Sequence, residues 1–185
     1  MISVHIATVQ DIHVLSFLGA TTFAETYKNM GQGRPEGLEE MYGKTAFAPG
    51  KLKEELTDPD VNKRPVYHIA EVSGQPAGYS KIKFDTPPDC VPNRKSAYED
   101  KIYILKNFQK QGVGKALTEA IENEILKRGF TGIWLGVWDQ NPQAIAYHKK
   151  MGFRIVGSQE WKFECAEMKY VDTDLVMYRD LEMID

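Results

Sequence analysis

The chain has 185 residues, about what one globular domain of roughly 100–200 residues needs. Hydrophobic residues make up 42% and charged residues 26%, which excludes a disordered tail and a fibrous repeat. The net charge of −3 excludes a general electrostatic nucleic-acid binder and leaves room for a local basic pocket.

The chain-order pattern is that of a mixed α/β protein. Ile2, Val4 and Ile6 alternate with smaller or polar residues, which predicts a strand. Thr8-Val9-Gln10-Asp11 has capping-box spacing, with Asp in place of Glu. A helix then carries Ile12, Leu15, Leu18 and Phe23 on one face and ends near Tyr27. Gly31, Gly33, Pro35 and Gly37 break the chain before two short helices, Leu38–Phe47 and Gly50–Leu56. Val66–Val72 and Ala77–Phe84 are strands joined by the turn Ser73-Gly74-Gln75-Pro76. Pro87, Pro88 and Pro92 make Asp85–Arg94 a loop before a strand at Tyr98–Leu105. Val113, Leu117, Ile121 and Ile125 mark a long helix over Gln111–Arg128, with Gly129 at its C-terminus. Thr131–Val137 is a strand. Asn141 caps a helix at Pro142–Met151 that Gly152 stops, and Arg154–Phe163 and Thr173–Arg179 are the last strands. With no repeat or linker, residues 1–185 read as a single domain.

Other global features narrow the setting. Cys90 and Cys165 lack CxxC spacing and are too few for a disulfide framework, so both read as reduced thiols. The N-terminus lacks a signal-peptide pattern, and no apolar run reaches the roughly 18–20 residues of a membrane span. The expectation is a cytoplasmic protein with no membrane partner. No metal-ligand spacing is found among His5, His13, His68 and the cysteines, so no metal site is expected.

The most informative segment is Gln109-Lys110-Gln111-Gly112-Val113-Gly114-Lys115, between a strand and the long helix. Two glycines allow a tight turn and close backbone approach, and the first amides of a helix have no partner within it. The helix dipole favours an anion there, and Lys110 and Lys115 add positive charge. The motif is neither GxxxxGK[ST] nor GxGxxG, so it predicts an anion site of another kind or a close-packed turn.

Ile102-Tyr103-Ile104-Leu105 followed by Gln109-x-x-Gly112-x-Gly114 resembles the acetyl-coenzyme A motif of the GNAT superfamily of N-acetyltransferases. Ile133–Trp138, Asn141–Ala146, Lys150-Met151-Gly152-Phe153 and Thr173–Met177 agree with that family in order and spacing. Phe23–Tyr27, Gly78–Lys81 and Leu135–Trp138 look most like the bacterial polyamine (spermidine/spermine) acetyltransferase-like branch. The resemblance implies the GNAT fold: a twisted, mostly antiparallel mixed sheet flanked by helices, with two central parallel strands splayed apart.

It also implies acetyl-CoA as cofactor and direct acetyl transfer to a primary amine in a ternary complex. The backbone of Ile102, Tyr103 and Ile104 would pair with the pantetheine arm, and Gln109, Lys110, Gln111, Gly112, Val113, Gly114 and Lys115 would cradle the pyrophosphate. Asn141 would contact the cofactor from the far side. A protonated amine must lose its proton before attack, and Glu99 and Asp100 are the acids nearest the reacting strand. The family's usual general-acid tyrosine falls, by counting back from Gly152, on His148, with Tyr147 one residue earlier. An imidazolium at His148 would suit protonation of the thiolate, and Tyr147 stays an alternative. Glu25, Tyr27, Tyr42 and Trp138 are candidates for the acceptor side. The acceptor is expected to be a small-molecule amine, with a protein N-terminus or lysine, or a non-catalytic acyl-CoA-binding role, as alternatives. Homodimers are common among such enzymes.

Overall fold

The computed structural model describes residues 1–27, 36–165 and 168–181; the predicted break at Gly31, Gly33 and Pro35 lies outside them, as does the Cys165 side chain. The strands are β1 (Ile2–Ile6), β2 (Val66–Val72), β3 (Gln75–Lys83), β4 (Ser96–Ile104), β5 (Gly132–Trp138), β6 (Arg154–Cys165) and β7 (Met168–Asp180). The helices are α1 (Ile12–Tyr27), α2 (Leu38–Ala46), α3 (Pro49–Thr57), α4 (Val113–Lys127) and α5 (Pro142–Lys150). All seven strands join one sheet in the order β1-β2-β3-β4-β5-β7-β6. The β1–β2, β2–β3, β5–β7 and β6–β7 pairs are antiparallel, and β4 pairs with β5 in parallel. This is a mixed, mostly antiparallel sheet with a central parallel pair, as the resemblance implies. Among the described residues, no helix is long and apolar enough to cross a membrane.

The chain divides into two compact units, each made from two separate segments. One is Met1–Lys83 with Lys101–Ile121, the other Phe84–Asp100 with Glu122–Asp185.

In the first unit, the capping box forms as read. The Thr8 amide donates to Asp11 Oδ2 at 2.8 Å, and the Gln10 amide donates to Thr8 Oγ1 at 3.2 Å. The box opens a short 3-10 turn that runs into α1, whose Ile12, Leu15, Leu18 and Phe23 are buried against Phe47, Leu52, Tyr67, Ile69 and Tyr79. The opposite sheet face packs Ala70 and Ala77 against Val113 and Leu117 of α4. The β2–β3 hairpin turns on two residues, with φ of 52° at Ser73 and 79° at Gly74, the left-handed pair that matches strand twist. The strand therefore resumes at Gln75, earlier than the four-residue turn predicts. Glu55 of α3 ties that helix to the hairpin: Lys81 Nζ lies 2.9 Å from its carboxylate and the Tyr67 hydroxyl donates to it.

In the second unit, the β4–β5 register runs from Ser96–Gly132 to Tyr98–Trp134. Gly132 is required by space there, since a Cβ would lie 2.4 Å from Ser96 Oγ. β5 continues against β7 as far as Trp138, and β6 and β7 form a long hairpin. β7 is nearly twice the predicted Thr173–Arg179, because its register with β6 reaches Cys165–Met168.

Candidate active site

The anion loop lies in the first unit. β4 ends at Ile104, and a 3-10 turn at Lys106–Phe108, which hydrophobic periodicity does not signal, leads into the loop. Lys110 and Gly112 both take positive φ, 60° and 91°. A Cβ on Gly112 would meet only Ile2 Cδ1 at an ordinary 3.5 Å, so backbone conformation rather than space calls for glycine. α4 begins directly after this turn, and amides of a first helical turn have no acceptor within the helix. Val113 and Leu117 anchor the helix start by burial, leaving Lys110, Gln111 and Lys115 exposed. Lys115 Nζ is 3.7 Å from Glu119, an exposed pair that takes little from its charge. Gln109 donates from Nε2 to the Ile104 carbonyl at 3.2 Å, and Gln111 likewise to Asn107 at 2.7 Å, so both side chains stiffen the loop.

β4 supplies a second element. A Cβ on Gly78 would stand 2.7 Å from the Tyr103 carbonyl oxygen, and the Leu105 amide donates to Ala77 at 2.9 Å. Tyr103 and Leu105 thus turn their polar backbone groups to β3, and by alternation Ile102 and Ile104 turn theirs to the opposite edge.

Glu25, Tyr27 and Tyr42 come together in the same unit. Glu25 Oε2 accepts the Lys106 amide at 3.0 Å. The Tyr27 and Tyr103 hydroxyls are 3.0 Å apart. Tyr42 stacks on Phe23 with centroids 4.2 Å apart, and Lys101 Nζ lies 5.6 Å over the Tyr42 ring. Burial, with Tyr27 beside it, pushes the Tyr103 hydroxyl well above its ordinary range, so it stays protonated. Tyr79, from the Gly78–Lys81 run, and Lys101, which no motif marks, also join this aromatic cluster, because strand alternation alone does not say which cluster a residue enters.

The second unit holds the other candidates. Asn141 is buried and caps α5, its Oδ1 accepting the Ala144 amide at 3.0 Å. His148 sits edge-on to Phe153, with centroids 5.5 Å apart. Burial lowers its pKa to about 4, so at neutral pH it is the neutral imidazole rather than the imidazolium that the sequence reading assumes. Tyr147, 43% exposed, has its ring 5.3 Å from that of His148. Glu99 is buried, and desolvation raises its pKa to about 7 against the pull of Arg179, with Glu122 adding to the rise. Asp100 is half-buried, and Trp138 is buried at the end of β5. Among the described residues, no group of three or more His, Cys, Asp or Glu side chains converges as metal ligands.

The family model described as the acetyltransferase (GNAT) family matches residues 36–153, more than half of the chain. The chain belongs to the GNAT family. An uncharacterised N-acetyltransferase from the pepI 3′ region of Lactobacillus delbrueckii subsp. lactis is 28% identical over 154 residues, covering 82% of this chain and 85% of that one. The bS18-alanine N-acetyltransferase of Escherichia coli K12 is 43% identical over 52 residues, 28% of this chain and 35% of that enzyme. Among solved structures, PaiA N-acetyltransferase from Thermoplasma acidophilum, in complex with coenzyme A, has a TM-score of 0.74 at 17% identity, covering 97% of this chain and 99% of that one. The ribosomal-protein-S18-alanine N-acetyltransferase from Escherichia coli has a TM-score of 0.64 at 17% identity, covering 100% and 97%. This GNAT protein is accordingly an acetyl-CoA-dependent N-acetyltransferase. The positive-φ turn at Lys110–Gly112, the opening of α4 and the two exposed lysines fit a pyrophosphate.

Proposed function

We propose that this enzyme acetylates the primary amine of a small molecule by direct attack in a ternary complex. The observation that carries the reading is the left-handed turn at Lys110 and Gly112, set between β4 and the first turn of α4. Bound acetyl-CoA supplies the thioester that the amine attacks. The amides of residues 110–115, with Lys110 and Lys115, hold the pyrophosphate. The Ile102 and Ile104 backbone groups turned away from β3 hold the pantetheine arm as an added strand would. Glu99 takes the amine proton: a carboxyl with a pKa of about 7 is half ionised at neutral pH and matched to that task. A new C–N bond replaces the C–S bond, and the departing sulfur needs a proton. Tyr147 Oη, on the exposed side of α5, supplies it, or the N–H of neutral His148 does. Glu25, Tyr27 and Tyr42 are the acceptor-side candidates of the first unit; in the second, Trp138 is a further candidate, Asp100 the alternative proton acceptor and Asn141 the cap that holds α5 for the cofactor.

Spermidine and spermine lead the candidate acceptors, on the resemblance of Phe23–Tyr27, Gly78–Lys81 and Leu135–Trp138 to the polyamine branch. A second reading, acetylation of a protein N-terminus, is favoured by the 43% identity over 52 residues to the bS18-alanine enzyme. Calorimetric titration with acetyl-CoA, followed by thiol release across polyamines, amino acids and N-terminal peptides, tests both. Turnover with polyamines supports the first and turnover with peptides alone the second. No binding at millimolar acetyl-CoA overturns the cofactor site. Gly114→Glu is expected to abolish binding through bulk and charge repulsion at the loop.

A further inference from the structure

Glu99 sits in a charged arrangement in the second unit that the family motifs do not mark. Arg179 of β7 is in register with Ile133 of β5, and Ile133 with Ala97 of β4. Residues directly opposite one another share a sheet face, and Glu99, two positions after Ala97, returns to that face. The Arg179 Nη2 donates to Glu122 Oε1 of α4. The guanidinium also lies 5.2 Å over the Phe153 ring, and a Cβ on Gly152 would come within 3.1 Å of Arg179 Cδ. Gly152-Phe153 therefore makes the seat of Arg179, and Phe153 also carries the His148 ring. The charges that reach Glu99 are Arg179 from β7 and Glu122 from α4; β5 presents Ile133, and Ala97 is the uncharged neighbour on β4 itself.

We infer that the Arg179–Glu122 ion pair, whose arginine shares a sheet face with buried Glu99, is a positioning element that sets the charge state of that carboxyl. The inference rests on Glu99 being the proton acceptor of the proposed function. The two members of the ion pair carry opposite charge, so removing one or the other is expected to shift the ionisation of Glu99 in opposite directions. Removing Arg179 makes Glu99 harder to ionise. Removing the Glu122 charge makes it easier, both by lifting a repulsion and by freeing Arg179 to act on Glu99.

The test compares wild type, Glu122→Gln, Arg179→Met and Arg179→Lys in two readouts. One is the acid limb of kcat/KM. The other is the carboxyl carbon of Glu99, followed by NMR of protein labelled with 13C in the glutamate side chain and assigned with Glu99→Gln. Glu122→Gln is expected to move both midpoints to lower pH by about one unit. Arg179→Met is expected to move them up by a similar amount, and Arg179→Lys to leave them near wild type. Shifts of the same sign in Glu122→Gln and Arg179→Met, or no shift in Glu122→Gln, overturn the inference. Glu122→Gln decides alone if Arg179→Met does not fold. Glu99→Gln with an unchanged rate and acid limb overturns the proton-acceptor reading instead, while the NMR shifts still judge the pair.

Discussion

His148 is half-buried and Glu99 buried, and loss of solvent acts on their pKa values with opposite sign. Desolvation disfavours the charged form of each, so the imidazole pKa falls to about 4 and the carboxyl pKa rises to about 7. Unfolded His148 titrates near 6.5, and as pH falls from there to about 4 the unfolded chain takes up a proton that the folded one refuses. Stability due to neutral His148 is thus full above pH 6.5 and lost on acidification, an upper limit of about 3 kcal/mol. Urea unfolding at pH 7 and pH 4.5 is expected to show His148→Gln losing less stability on acidification than wild type. For Glu99 the window lies on the other side. Its contribution is full below its unfolded pKa of about 4.5 and is lost as pH rises through about 7. Glu99→Gln is expected to be more stable than wild type at pH 8.5, by about 1–3 kcal/mol, and the gain to shrink toward pH 4. Counting back from Gly152 in the sequence identifies His148, but its charge state depends on a ring five residues on that folds against it. Likewise Arg179 reads as one more charged residue of a terminal strand until register places it in line with Ile133 and Ala97.

Elements whose signals are local were legible. Thr8 and Asp11 close a capping box, Asn141 and Pro142 open α5, and the apolar spacing of α4 marks its buried face. Strand ends were less so, because pairing with a neighbour rather than composition extends them. β7 alternates half-buried Met168, Tyr170 and Asp172 with exposed Lys169, Val171 and Thr173, a pattern with too few apolar residues to announce a strand. Glycine positions separate two physical demands. On β3, Gly78 faces rigid backbone: a Cβ would be 2.7 Å from the Tyr103 carbonyl and 3.2 Å from Ile104 Cα. Gly78→Ala is expected to cost about 1–3 kcal/mol in urea unfolding, since neither strand can yield without weakening the pair. On α3, Gly50 has nothing within 4 Å of an added Cβ and no positive φ. Gly50→Ala is expected to stabilise by about 0.5–1 kcal/mol through helix propensity and a less flexible unfolded chain.

For the molecule as a whole, a net charge of −3 coexists with exposed Lys110 and Lys115 at a turn built for an anion. Acetyl-CoA affinity is expected to weaken as salt rises, because both lysines lie in water where screening is strong. Replacing both with alanine is expected to raise the calorimetric Kd about 3- to 30-fold and to flatten its salt dependence. The division into two compact units was not legible, since each unit is assembled from two stretches of chain and no linker separates them. The second unit also contrasts two ladders. β6 and β7 pair from Cys165–Met168 outward, so each new pair closes almost no additional loop. The parallel β4–β5 ladder joins strands separated in sequence by the whole of α4. Loop-closure entropy makes the first ladder a microsecond-scale local event and delays the second until distant residues meet. Refolding of this chain thus has a built-in order: its C-terminal hairpin can zip while the parallel centre is still open, and mutations that slow refolding will concentrate around Ser96–Tyr98 and Gly132–Trp134 rather than along the longer hairpin.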